Sequence, residues 1–321
     1  MTLTQLTPTT DLLHRIRASV AERVLGQDAV IDQVLTAFLA RGHILLEGVP
    51  GTAKTLLIRV LAATIDVRFG RVQFTPDLMP SDVSGVSVYR ETSRNFEFRP
   101  GPIFTDLLLA DEINRAPAKT QAALLEAMQE RQVTVDGSTH QLGDLFTVLA
   151  TQNPIEYEGT YPLPEAQLDR FLVKVRIDYP AKEAELAMLD KYADGFDAER
   201  ASTFLPTPVI EQAQLQELRS AVDSVKVAPE IREYIASIVR ATRDDGSLTL
   251  GASPRATVAL FRMARASAVL AGRDFVTPDD VKANTLPVLR HRLTLAPELL
   301  VEGRSVDEVL LGVLSRTAAP Q

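Results

Sequence analysis

Residues 48–55 read Gly-Val-Pro-Gly-Thr-Ala-Lys-Thr, and they constrain the chain more than any other stretch. A short apolar run, Ile44, Leu45 and Leu46, precedes them, and Leu56, Leu57, Val60 and Leu61 follow at helical spacing. That pattern predicts a strand, a tight glycine loop and a helix opening on Lys54-Thr55. Such a turn aims backbone N–H groups inward at the positive end of a helix. Gly48, Val49, Pro50, Gly51, Thr52 and Ala53 are therefore candidate phosphate-cradling residues. Lys54 is placed to reach β/γ-phosphates and the Thr55 hydroxyl to take Mg²⁺. The general pattern has glycine before the lysine, and here that position is Ala53.

The surrounding chain alternates strand-like and helix-like segments. Leu12, Leu13, Ile16, Val20 and Val24 predict a helix over 11–25, and Asp28 is expected to cap a second one. That second helix is expected to end near Arg41-Gly42, with Gly42 as its terminating glycine. Strands are expected at 44–46, 68–75, 103–110, 145–150 and 171–177, with a hairpin turning at Asp136-Gly137. Residues 76–102 are rich in proline, glycine and serine and read as a hairpin-bearing insertion. The alternation over 40–178 argues for an α/β fold with a mostly parallel sheet and helices on both faces. After Pro180 the periodicity is helical almost throughout, giving a small all-α domain. The expected division is 1–180, a connecting helix and linker over 181–208, and 209–321.

Composition removes several classes of function. With 34 basic and 42 acidic residues the net charge is −8, which argues against a surface that coats nucleic acid. There is no cysteine, so thiol catalysis, disulfides and cysteine-based metal sites are excluded. His14, His43, His140 and His291 show no ligand spacing. The N-terminus lacks a signal-peptide pattern and no apolar run reaches the ~20 residues of a membrane span, so the expected location is cytoplasmic.

Further residues carry chemistry. Asp111-Glu112 follows an apolar strand that can lie beside the phosphate-loop strand, so that both acids emerge near a γ-phosphate. Asp111 would hold Mg²⁺ directly or through water, and Glu112 would polarise an attacking water. Asn153, at the end of the next strand, could orient that water. Arg170, between a loop and a strand, and Arg255, in the first turn of a later helix, are candidates to stabilise transferring charge.

Taken together, the runs from Leu46 to Thr55, Leu108 to Pro117, Ala150 to Pro154 and Leu163 to Phe171 resemble the MoxR family of AAA+ ATPases. The resemblance extends from about Leu25-Gly26-Gln27 through Gly251-Ala252-Ser253-Pro254-Arg255, and Ala53 looks like that family's own variant. It implies an αβα nucleotide-binding domain with an insertion near 76–102, followed by an all-α lid. It implies ATP with Mg²⁺, with Lys54 and Thr55 as the phosphate-loop pair, Asp111 and Glu112 as the acids and Asn153 as a first sensor. Arg170 would be an arginine finger reaching a neighbouring subunit and Arg255 a lid sensor, while Val24, Gly26 and Gln27 would lie near adenine. Arg115 and Arg131 also stand near plausible subunit boundaries.

The expected function is ATP hydrolysis by a homo-oligomeric ring of about six subunits that remodels or matures other proteins. Its expected partners are a client and a protein containing a von Willebrand A domain, both implied by the resemblance. The alternatives are the motor subunit of a magnesium chelatase, a nucleotide-gated scaffold with little hydrolysis and, more weakly, a nucleic-acid translocase.

Overall fold

The computed structural model describes residues 3–49, 51–92, 94–153, 160–198, 200 and 205–320. Pro50 and much of the loop expected over 154–164 lie outside them. The chain begins with α1 (Leu3–Ala21) and α2 (Asp28–Leu39), then β1 (Ile44–Gly48), α3 (Lys54–Thr64) and β2 (Phe69–Gln73). A short α4 (Pro80–Ser84) leads into an antiparallel hairpin of β3 (Gly85–Arg90) and β4 (Asn95–Pro100). After it come β5 (Leu107–Asp111), α5 (Ala118–Glu130) and a second hairpin, β6 (Gln132–Val135) with β7 (Ser138–Gln141). The last elements of this half are β8 (Thr147–Gln152), α6 (Glu165–Leu168), β9 (Val173–Ile177) and α7 (Lys182–Ala193).

Among the described residues the central sheet is wholly parallel, in the order β2-β5-β8-β1-β9. Its three inner strands, β5, β8 and β1, are buried on both faces, as a sheet covered by helices on both sides requires, while the edge strands β2 and β9 carry polar residues such as Arg71, Gln73 and Arg176. Leu107 and Leu109 of β5 face one buried cluster with α1, α2 and α3, while Leu108 and Ala110 face the other with α5. The first cluster continues into the C-terminal helices through residues such as Leu218, Ile235, Leu260 and Leu310. Each fully buried leucine there contributes about 2 kcal/mol.

Four local expectations change. The strand bearing Asp111 does not lie beside β1, because β8 runs between them and pairs with both. Both β5 and β8 are apolar runs, so pattern alone admits either as the neighbour of β1. Asp28 is the first residue of α2 and not its cap; its carboxylate pairs instead with Arg17 of α1 at 3.1 Å. Arg41, at φ 55, takes the left-handed turn after α2 that the sequence leads one to expect at Gly42. Gly42 is needed for a different reason, since a Cβ there would lie 2.1 Å from the Leu172 side chain. The C-terminal region is not entirely helical, because Leu248–Leu250 pairs antiparallel with Thr294–Leu295.

The C-terminal helices are Gln212–Ser224, Pro229–Ala241, Pro254–Leu270, Pro278–Leu289 and Val306–Arg316, with a short helix at Pro297–Val301. Thr277 caps the fourth through a reciprocal pair with Asp280. Ser253, at the cap of the third, makes no such bond and turns to Asp169 at 3.5 Å.

Candidate active site

The strand before the phosphate loop and the helix opening on Lys54 both form as the sequence predicts, and the described loop residues carry some backbone cost. Gly51 (φ 84) and Ala53 (φ 58) both stand in the left-handed region, and α3 begins directly after Ala53. The position where the general pattern has glycine is thus one that requires positive φ, and alanine there is strained by roughly 1 kcal/mol. The Lys54 ammonium donates to the carbonyls of Gly48 at 2.8 Å and Val49 at 2.7 Å, which ties the first helical residue back to the end of β1. The Thr52 hydroxyl donates to Val49 O at 2.9 Å. Burial lowers the Lys54 pKa from its ordinary value, opposed by the charges of Asp111 and Glu112.

Facing this loop, the carboxyl ends of β5 and β8 close a cleft of about 550 Å³. It is lined by Gly51, Thr52, Ala53, Lys54, Thr55, Asp111, Glu112 and Asn153, so eight of the candidate residues meet there. Thr151 organises the two acids across the strand boundary. Its hydroxyl donates to Asp111 Oδ1 at 2.6 Å and accepts from the Glu112 backbone N–H at 2.8 Å. Glu112 itself is left-handed (φ 56), turning the chain off β5. Its Oε2 accepts from Gln73 Nε2 at 2.8 Å and from Arg115 at 3.1 Å.

A second, more apolar pocket of about 220 Å³ opens off the same loop. Val24, Leu25, Gln27, Leu56, Met188 and Tyr192 line it, and it shares Gly51, Thr52 and Ala53 with the phosphate cleft. Gln27 is fixed by donating to Asp178 O at 2.9 Å. Gly26 stands behind the pocket against Ala184 and Pro180. The two spaces together fit a flat apolar group joined to a chain of phosphates.

Arg170 and Arg255 do not line either space. Both line a separate cleft of about 390 Å³, together with Arg41, Arg131, Arg262 and Arg292. Asp169 anchors this cleft: it accepts from buried Arg292 at 2.7 Å and lies 3.9 Å from Arg255. Arg115 lines none of these three spaces and pairs with Glu112 at 3.1 Å.

Two family models match the chain. The ATPase family associated with various cellular activities (AAA) covers residues 43–173, and the AAA lid domain covers 240–311. The chain is 46% identical to the uncharacterised protein YeaC of Bacillus subtilis, over 96% of each chain. It is 42% identical to Chaperone MoxR1 of Mycobacterium tuberculosis, over 96% of this chain and 82% of that one. The chain belongs to the MoxR family of AAA+ ATPases. Protein MoxR of Paracoccus denitrificans is a further relative, 33% identical over 85% of this chain and 86% of that one. A crystal structure of a candidate ATPase from Cytophaga hutchinsonii superposes with a TM-score of 0.90 at 39% identity, covering 99% of this chain and 98% of that one.

The phosphate cleft offers the Thr55 hydroxyl and the Asp111 carboxylate, hard oxygen donors suited to Mg²⁺. Among the described residues no group of three or more His, Cys, Asp or Glu could enclose a metal ion. The Thr55 and Asp111 oxygens are of the kind Mg²⁺ takes alongside phosphate and water ligands, so the residues fit on donor chemistry. None of the three buried or stacked histidines is placed for metal. His43 and His291 bond to backbone carbonyls, and His140 stacks on Phe98 with ring centroids 3.7 Å apart.

Sequence reasoning missed Gln73, Thr151 and Asp169. Gln73 and Thr151 lie at or next to the ends of β2 and β8 and Asp169 directly precedes Arg170, positions that no local pattern sets apart from those of other polar residues.

Proposed function

We propose that the chain hydrolyses ATP as a ring of identical subunits and uses the cycle to remodel partner proteins. The observation that carries this reading is the existence of two complementary clefts. One presents the phosphate loop and the acids. The other presents Arg170 and Arg255 away from the chain's own phosphate loop. An arginine that cannot reach its own nucleotide acts on a neighbour's, so each site is completed by a second copy. Arg131 lines the arginine cleft and Arg115 does not, which supports Arg170, with Arg131 beside it, as the residue acting in trans.

Within one subunit, Lys54 and the loop N–H groups would bind the β/γ-phosphates, and Val24, Gly26 and Gln27 would frame the base. Thr55 and Asp111 would hold Mg²⁺, which when bound offsets the phosphate charge. Glu112 takes the proton of the attacking water, Asn153 orients that water, Arg170 from the neighbour stabilises the charge on the transferring phosphoryl group, and Arg255 serves as the lid sensor. Residues 1–180 act as the nucleotide-binding unit and 209–321 as its lid, joined through 181–208. The name of Chaperone MoxR1 supports protein remodelling over metal chelation. A client, a von Willebrand A domain partner, a hexameric ring and a cytoplasmic location complete the proposal. Among the described residues, no helix is long and apolar enough to cross a membrane.

Glu112→Gln is expected to retain ATP binding and lose roughly 10²–10⁴-fold in turnover, the usual span for removing a catalytic base. Steady-state phosphate release at concentrations where the ring assembles checks this. Equal and negligible turnover in the wild type and the variant would sink the motor reading in favour of a scaffold.

A further inference from the structure

Asp111 has a cationic partner that the hydrolysis scheme does not use. Its Oδ2 accepts from the Arg71 guanidinium at 2.8 Å, while its Oδ1 is held by Thr151. The same Arg71 nitrogen donates to Gln73 Oε1 at 3.0 Å, and Gln73 in turn donates to Glu112. Strand register produces this arrangement. In the parallel pairing of β2 with β5, Gln73 stands opposite Asp111 and Arg71 opposite Leu109. Residues two apart on a strand share a face, so Arg71 and Gln73 both lean toward the acids. The Asp111 side chain is only 13% exposed and that of Arg71 is 49% exposed. A carboxylate so enclosed needs a counter-charge, and Arg71 can supply one from a solvated position without entering the phosphate cleft.

We propose that Arg71 is a positioning residue that fixes the Asp111 carboxylate and provides the positive charge for which a divalent cation is the alternative source. This rests on the ATP-binding reading of the cleft. Without a divalent cation, Arg71 and Lys54 together offset the triphosphate and the two acids. With the cation in excess, the contribution of Arg71 is largely replaced.

The test is equilibrium binding of a fluorescent ATP analogue to the full chain, once in excess EDTA and once in excess Mg²⁺. Arg71→Gln is expected to weaken binding in EDTA about three- to tenfold, as loss of one partly screened charge implies, and in Mg²⁺ by less than about twofold. Arg71→Lys should restore the EDTA value. Arg68→Gln, whose residue pairs with Asp106 beyond the other end of β2, should change neither. Equal losses for Arg71→Gln in both buffers would mark a merely structural role and overturn the proposal, as would no loss in EDTA. Wild-type binding with an unchanged ratio removes this proposal alone. Absence of wild-type binding in both buffers removes the hydrolysis reading, and this proposal with it.

Discussion

Ala53 shows what a single residue decides in this molecule. Its φ of 58 belongs to a region where glycine sits without strain. Replacing it with glycine relieves roughly 1 kcal/mol of strain but returns a similar amount of entropy to the unfolded chain. Ala53→Gly is therefore expected to change unfolding free energy by less than about 1 kcal/mol. Ala53→Val, with a branched Cβ at positive φ, should cost about 1–2 kcal/mol or more. Urea unfolding of both variants checks this, and a strongly stabilised glycine variant would contradict the cancellation. At this scale the sequence was legible where chemistry is tied to a motif: Lys54, Asp111, Glu112 and Asn153 all line one cleft. It was silent on Arg71, Gln73 and Thr151, because their roles arise from cross-strand register. No local pattern distinguishes them from ordinary polar residues at strand ends.

At the scale of elements, His43 ties strands to helices. Its Nε2 donates to Met128 O at 3.1 Å, near the end of α5, and its Nδ1 accepts from the Val148 N–H of β8 at 3.0 Å. That pair of bonds requires the neutral ring. Burial, with Arg131 and Arg262 adding to it, lowers the His43 pKa from 6.5 to about 4. The unfolded chain therefore takes up this proton near pH 6.5, whereas the folded chain resists until about 4. Stability from this residue is complete above pH 6.5 and is lost as pH falls toward 4, by up to about 3 kcal/mol. His291, also buried and held well below its usual pKa, acts in the same direction. Urea unfolding between pH 7 and pH 5 should show this slope, and His43→Gln should flatten part of it; an unchanged slope would exclude His43 as a source. The second hairpin was legible from turn chemistry at Asp136-Gly137, where both residues take positive φ, and the first from the composition of 76–102. The lateral strand order was not, because β5 and β8 carry the same apolar signal.

At the scale of the whole molecule the two clefts make opposite demands. A ring in which one copy's arginines complete another's phosphate site predicts complementation between variants defective in different halves. Arg170→Ala alone should retain nucleotide binding and lose roughly 10³-fold or more in turnover. Mixing it with Lys54→Ala should restore part of the activity, since some interfaces then pair an intact loop with an intact arginine. Phosphate release measured across mixing ratios checks this, and no recovery at any ratio would count against action in trans. A line of charge also joins the phosphate-loop strand to the C-terminal helices. Glu47 pairs with Lys174 at 2.5 Å and accepts from Gln152 at 2.7 Å; Arg176 beside it pairs with Asp307, which also meets Arg290 at 3.2 Å. Movement of the helical region would thus be felt at the residue preceding Gly48.

The sequence by itself determined the phosphate loop, the parallel α/β character, the acids and the helical C-terminal region. Each of these is written in local spacing, turn chemistry or apolar periodicity. Only the tertiary structure decided that β8 separates β1 from β5, that Thr151, Gln73 and Arg71 organise the acids, and that Arg170 and Arg255 share a cleft apart from the phosphate loop. Those facts depend on which segments pack side by side, a choice that many sequence-distant contacts make together.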